Sequence, residues 1–401
     1  MRRQAVVIVL DGVGAGALPD ARRYGDRGAD SLGNTARVMG GLRLPILASM
    51  GLGNITAIDG VEATDAPAAS WGRMAERSPG KDSTTGHWEL MGCPLERPFP
   101  IYPNGFPQEI IGAFERKIGR RTLGNRRASG TVIIEELGRE HLRTGRPIVY
   151  TSADSVFQIA AHEEVIPVRE LYRLCGIARA LLVPPDHVAR VIARPFTGKP
   201  GGFVRTKRRR DFSLPPPGPT LLDELSGRGE EVVTIGKIHD LFAKRGITKV
   251  VRAGGNEAAM KAAERAARGG VAFSFLFVNF IDFDTVWGHR RDVARYARGL
   301  ERFDAWLGRF YPLLVPGTFF AVTSDHGCDP TMPGSDHTRE YVPLLATIAG
   351  TRSGGPLGTR RTFADLAATL GEFFGAASMH GESFLGAIRR GAGGKRTRSA
   401  R

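Results

Sequence analysis

The chain has 401 residues, 42% of them hydrophobic, enough for a large core and for two or three domains. Its 52 glycines and 25 prolines follow no period, which excludes collagen-like and disordered chains. The formal net charge of +15 points to nucleic acid, an acidic membrane surface or phosphate-bearing small molecules as partners.

The first element is the apolar, β-branched run Ala5–Leu10, which stops at Asp11 and reads as a buried parallel strand. It is too short for a signal-peptide core or a membrane span, and no later run is long enough to cross a bilayer. The expectation is a soluble chain with no membrane partner. Gly12, Gly14 and Gly16 follow with the spacing G-x-G-x-G, a weak dinucleotide signal. They read as room for a substrate or metal beside Asp11. Residues 80–89 place three hydroxyl side chains, Ser83, Thr84 and Thr85, after Lys81 and Asp82. Such a cluster is an ordinary helix cap or a nucleophile held at a helix start.

From 99 to 215 the chain is rich in Pro, Gly and charge, with helices expected over 107–118 and 168–182. Residues 205–210 carry five positive charges and no negative ones. The stretch 213–219 (SLPPPGP) reads as a linker. Three more strand-like runs follow, at 231–235, 273–281 and 318–323, with helical patterns over 257–267, 292–313 and 362–374. Residues 389–401 carry six positive and no negative charges and read as a disordered basic end. Three cysteines, Cys93, Cys175 and Cys328, are odd in number and widely spaced, so a reducing cytoplasm is expected rather than a disulfide framework.

Strands alternating with helices give an α/β fold with a mostly parallel sheet. The expected organisation is a core domain in two parts, 1–98 and 216–390, with a second domain inserted over 99–215 and a basic tail over 391–401.

Ligands of open α/β sheets bind beyond the carboxyl ends of the strands. There the sequence delivers Asp11, Asp282 and Asp284 with His289, then Asp325-His326, and shortly after Asp336-His337. A lone strand-end Asp is most often a cap, and a lone His is rarely a ligand. Repetition at several strand ends outweighs that reading. The donors are hard or borderline, suited to Mn, Zn, Fe or Mg, and two such ions would clamp a phosphoryl group.

With these residues in view, the chain resembles the bacterial phosphopentomutase family over roughly residues 5–388. The stretches that carry the resemblance are KDSTTGHWE (81–89), YTSADSVFQIAAHEEV (150–165), IARPF (192–196), DFDTVWGHRRD (282–292), SDHGCDP (324–330) and SDHTREYVPLL (335–345). The metal motifs are shared with the wider alkaline-phosphatase group; the stretch 150–165 narrows it to the mutases. The resemblance implies an alkaline-phosphatase-like fold, with helices on both faces of the sheet and an inserted α+β cap domain. It implies two divalent ions, manganese being expected, one held by Asp11, Asp325 and His326 and the other by Asp284, His289 and His337. It places the phosphoryl-accepting hydroxyl at Ser83, where the family usually has Thr. It assigns substrate contacts to Asp154, Arg194, Arg209 and Lys237. It also implies a sugar bisphosphate of the glucose 1,6-bisphosphate type as primer. A further departure is Cys328, where Asn is usual. The expected activity is the interconversion of ribose or deoxyribose 1-phosphate and 5-phosphate through a phosphoserine and a pentose bisphosphate. Rivals are a phosphatase, a phosphodiesterase or a cofactor-independent phosphoglycerate mutase of the same group. A nucleic-acid-binding protein is the other class, disfavoured because no aromatics interleave the basic run. No specific nucleic-acid partner is expected, and the oligomeric state is left open.

Overall fold

The computed structural model describes residues 3–152, 155–184, 186–351, 354–376 and 380–391. The expected contact Asp154 and the basic tail beyond residue 391 lie outside the described residues. The chain forms two compact units, Met1–Arg97 with Pro216–Arg401, and Pro98–Pro215.

In chain order the strands are β1 (Ala5–Leu10) and β2 (Ser70–Met74), then β3 (Leu123–Arg127), β4 (Ile148–Thr151), β5 (Val156–His162), β6 (Arg190–Thr197), β7 (Val204–Arg205) and β8 (Arg210–Ser213) in the second unit. The first unit resumes with β9 (Val232–Ile235), β10 (Lys249–Val251), β11 (Phe275–Phe280), β12 (Phe319–Thr323), β13 (Val342–Ile348) and β14 (Pro356–Arg360).

The first unit is built on one sheet in the order β10-β9-β11-β1-β12-β13-β2-β14. All neighbours are parallel except that β13 runs against both β12 and β2. The central strand β1 is wholly apolar because it is covered on both faces. Adjacent residues of β12 show this directly: Phe320 packs against Phe310 of the helix Val293–Phe310, and Phe319 against Phe373 of the helix Ala364–Phe374. The helix Val293–Phe310 buries Tyr296, Leu300, Phe303, Trp306, Leu307 and Phe310, a stripe at helical spacing. Each such side chain contributes at most about 1.5–3 kcal/mol of burial.

Register decides where the polar strand ends emerge. Leu10 lies opposite Phe280, Val9 opposite Thr323, and Val278 opposite Ile235. The residues that follow these strands therefore share one edge of the sheet. Because β13 is reversed, the segment that precedes it, with His337, arrives at the same edge.

The second unit is a mixed sheet, β3-β4-β5-β6-β7 with β8 also on β6. Phe157, Ile159 and Ala161 of β5 face the helices Gln108–Ile118 and Val168–Leu181. Ala160, with Ile148 and Tyr150 of β4, faces the helix Gly130–Thr144. That helix and all the strands of this unit were not anticipated from sequence. β3, β7 and β8 are short and carry charged residues that break their periodicity.

Candidate metal centre and nucleophile

Asp11 follows β1 directly. Asp284 lies in a single wide helical turn, Phe283–Gly288, after β11, and His289 follows that turn. Asp325 and His326 follow β12, and His337 precedes β13. Asp11, Asp284, Asp325, His326 and His337 are all buried.

These side chains gather into groups that could each hold a cation: Asp11, Asp325 and His326; Asp284, His326 and His337; and Asp284, His289 and Cys328. His326 Nε2 lies 3.3 Å from Asp11 Oδ1 and 3.4 Å from Asp325 Oδ2. Asp284 Oδ1 lies 3.3 Å from His289 Nε2 and 3.2 Å from His337 Nε2. Both rings of the expected trio approach Asp284 Oδ1, but they fall in different groups, His337 with His326 and His289 with Cys328.

The donor set fits divalent cations. With Nδ1 protonated, His289 donates to Ser335 O at 2.8 Å and His326 to Gly327 O at 2.9 Å. Each ring then turns its Nε2 lone pair toward carboxylate oxygens. Asp284 Oδ1 and Asp325 Oδ2 are buried and accept no hydrogen bond. His87 Nδ1 stands 3.0 Å from Asp325 Oδ2 but is aligned on Ser83 O at 2.9 Å. Lone pairs facing lone pairs in a buried site require a proton or a cation between them. Burial opposes the His326 imidazolium, yet Asp325, Asp11 and Asp284 raise its pKa to about 10. Burial likewise opposes the Asp284 carboxylate, but Lys237, His337 and His289 hold it well below the ordinary range. Oxygen and imidazole donors backed by carbonyls fit divalent Mn, Zn, Fe or Mg.

Among the three hydroxyls, Ser83 faces this cluster. It opens the helix Ser83–Leu90, whose cap Asp82 accepts from the amides of Thr84 and Thr85. Ser83 Oγ lies 3.1 Å from His326 Nε2, 3.4 Å from Asp11 Oδ1 and 2.7 Å from Lys237 Nζ. Thr85 Oγ1 instead donates to the backbone oxygen of Asp82 at 2.9 Å. The helix reaches the cluster because Gly86 lies flat on the backbone of Asp325; a Cβ there would overlap the Asp325 carbonyl oxygen.

The segment leading into Ser83 is fixed from two sides. Glu89 accepts from Arg77 N, Ser78 N, Thr362 Oγ1 and Phe363 N, so it is a structural carboxylate. Arg339, two residues past His337, donates to Glu76 Oε2 at 2.7 Å and to Ser78 O at 2.8 Å. Both partners of the Arg339–Glu76 pair are buried, and breaking such a pair from one side costs about 3–5 kcal/mol.

One residue emerges only with the structure. Asn279, a lone amide inside the apolar strand β11, donates to Asp11 Oδ2 at 2.7 Å. Its polar side chain in an apolar run was the available signal. His87 sits beside Asp325 and Asn279.

Lys237, expected as a substrate contact, lies two residues beyond β9 among the carboxylates, with Nζ 2.8 Å from Asp11 Oδ2 and 3.5 Å from Asp284 Oδ2. Burial disfavours its ammonium, but Asp11, Asp284 and Asp325 outweigh this and raise its pKa. Gly12 and Gly14 make room for protein atoms rather than for a ligand. Gly12 has φ +80° and abuts Cys328 and Asp284, while Gly14 abuts the Glu340 carboxyl.

In the second unit, Arg194 is largely buried on β6 and donates from Nε to Gln158 Oε1 at 3.0 Å. Its desolvation and the nearby Arg209 lower its pKa to about 10. Arg209 is 43% exposed, and its fork holds both oxygens of Asp211 at 2.7 Å.

The metalloenzyme superfamily model matches residues 3–378. The phosphopentomutase of Anaeromyxobacter dehalogenans is 55% identical over 97% of this chain and 99% of its own length. That of Dictyoglomus thermophilum is 54% identical over 97% and 99%, and that of Carboxydothermus hydrogenoformans 53% over 97% and 100%. Among solved structures, Leishmania mexicana phosphoglycerate mutase superposes with a TM-score of 0.49 at 13% identity over 96% of this chain and 97% of that one.

Proposed function

Because this chain belongs to the phosphopentomutase family of isomerases, within the metalloenzyme superfamily, we propose that it interconverts ribose or deoxyribose 1-phosphate and 5-phosphate through a phosphorylated Ser83. The observation that carries this reading is the position of Ser83 Oγ, within 2.7–3.4 Å of Lys237, His326 and Asp11.

Asp11, Asp325 and His326 would hold one divalent ion, and Asp284, His289 and His337 the other, with manganese as the expected metal. When bound, such ions neutralise charge on a transferring phosphoryl group and lower the proton affinity of an attacking oxygen. The chain's own residues do the rest. The cap at Asp82 and the glycine at 86 hold Ser83 against the ligand cluster. Lys237 donates to Ser83 Oγ, which favours its alkoxide as leaving group and nucleophile.

The P–O bond to Ser83 Oγ breaks as a new P–O bond forms to the free sugar hydroxyl, and the proton that hydroxyl gives up ends on Ser83 Oγ. The resulting pentose bisphosphate turns and returns its other phosphoryl group to Ser83. A bisphosphate of the glucose 1,6-bisphosphate type would prime the serine. Arg194 and Arg209 of the second unit are suited to the other phosphate, since guanidinium forks match its oxygens. Asp154 is the proposed contact to the sugar hydroxyls. No helix among the described residues is long and apolar enough to cross a membrane, and a cytoplasmic setting is proposed.

The test is Ser83→Ala in a coupled mutase assay with ribose 1-phosphate, manganese and primer. Activity should fall by at least about 10³-fold while bound metal is retained. Near-normal turnover would exclude Ser83 as nucleophile, and release of free ribose by the unmodified chain would make it a phosphatase.

A further inference from the structure

Cys328 lies where the loops after β1, β11 and β12 meet. Its backbone N–H is fixed by Gly12 O at 2.9 Å and Ser31 Oγ at 3.2 Å. Two glycines form the slot for its side chain. A Cβ on Gly12 would stand 2.9 Å from Cys328 Cβ, and one on Gly288 would stand 2.5 Å from Cys328 Sγ. The thiol is thereby directed to the Asp284 side of the cluster. The ligand atoms of Asp284, His289 and Cys328 all lie within 4.8 Å of one another. Donors bonded to one tetrahedral zinc at about 2.0–2.3 Å are about 3.5 Å apart, so only a small closure is needed. A second observation points the same way. Asp284 is 2% exposed, and its Oδ1 accepts no hydrogen bond.

We propose that Cys328 is a ligand of the cation held by Asp284 and His289, and that it biases this position toward thiophilic ions such as zinc and cobalt over manganese and magnesium. Soft thiolate donors select zinc-like ions, whereas oxygen donors suit manganese and magnesium. The other group, Asp11, Asp325 and His326, has no sulfur, so the two positions differ in preference. Without a cation, burial and the neighbouring carboxylates keep the thiol protonated. On coordination the S–H bond breaks, its proton leaves to solvent, and the sulfur–cation bond forms.

This inference rests on the two-cation reading, and cobalt(II) distinguishes the two. The metal-stripped full-length chain is titrated with cobalt, beside Cys328→Ser and Cys328→Asn. The expected result is visible cobalt bands plus a near-ultraviolet sulfur-to-cobalt charge-transfer band. The variants should keep the first and lose the second. In competition, the ratio of zinc to manganese affinity should drop by at least about tenfold in the variants, the lower end of what partners outside the ligand set contribute. Visible bands without charge transfer in the unmodified chain would overturn the role of Cys328 and leave the two-cation reading standing. A charge-transfer band that survives in both variants would do the same, pointing to Cys93 or Cys175. No cobalt bands in a folded chain would end both readings. Should the variants fail to fold, the spectrum of the unmodified chain still decides.

Discussion

The two charged regions of this molecule are built in opposite ways. At the edge of the first unit's sheet, Asp11, Asp284, Asp325 and His326 are buried and Lys237 is mostly so, each against several others. In the second unit, Arg209 is half-exposed and grips both oxygens of Asp211, itself mostly buried and 3.6 Å from Arg190. A buried cluster cannot exchange partners without leaving a charge uncompensated. The exposed guanidinium can turn to a phosphate because Arg190 stays 3.6 Å from Asp211 when the fork lets go. The first arrangement suits fixed machinery, and the second suits a ligand that comes and goes.

Three measurements break or sharpen that contrast. The largest effect is expected at Gly86, where a side chain would push the Ser83 helix off Asp325. Gly86→Ala should lower mutase activity by about 10²-fold and stability by about 1–3 kcal/mol, read by assay and urea unfolding. Full activity would mean that the Ser83 helix is not rigidly placed.

Glu340 gives the next effect. Ser31 N, Ser31 Oγ and Thr338 Oγ1 all donate to its carboxyl at 2.6–2.8 Å. Burial outweighs these bonds and pushes its pKa up to about 8. Between the unfolded value of about 4.5 and this value, the folded state binds more protons than the unfolded state. Stability must therefore fall as pH rises through that window. Relative to Glu340→Gln, the unmodified chain should lose on the order of 1–3 kcal/mol between about pH 5 and pH 9. Parallel stability profiles for the two proteins would place Glu340 in a wetter, more exchangeable setting.

The smallest structural effect is expected at Arg209. Arg209→Ala should lower stability by about 1 kcal/mol, because the mostly buried Asp211 loses its bidentate partner. It should nevertheless raise KM for pentose phosphate about tenfold, the loss of one charged hydrogen-bonding group. Unchanged KM would leave Arg209 as surface charge.

Much of this was legible in the residue order. Ala5–Leu10, 273–281 and 318–323 read as buried strands because uninterrupted aliphatic runs fit only a sheet covered on both faces. The polar residues that terminate them read as a site because parallel strands end on one edge. By contrast, β2, β13 and β14 were not seen, since Gly72, Pro343 and Gly358 interrupt runs that are already short. The arrival of His337 beside Asp284 depends on the reversed β13, a pairing that no local pattern encodes.

Local chemistry by itself determined the alternating α/β character, the donors available to a cation and the trio of hydroxyls, since these depend on residue type and period alone. The tertiary structure alone decided that Ser83 rather than Thr85 faces the carboxylate–imidazole cluster, that Lys237 stands among carboxylates, and that Cys328 lies beside Asp284. Those outcomes are set by register, by Gly86, Gly12 and Gly288 letting backbones close in, and by pairings between residues up to hundreds of positions apart. Such distances between atoms have no counterpart in spacing along a chain.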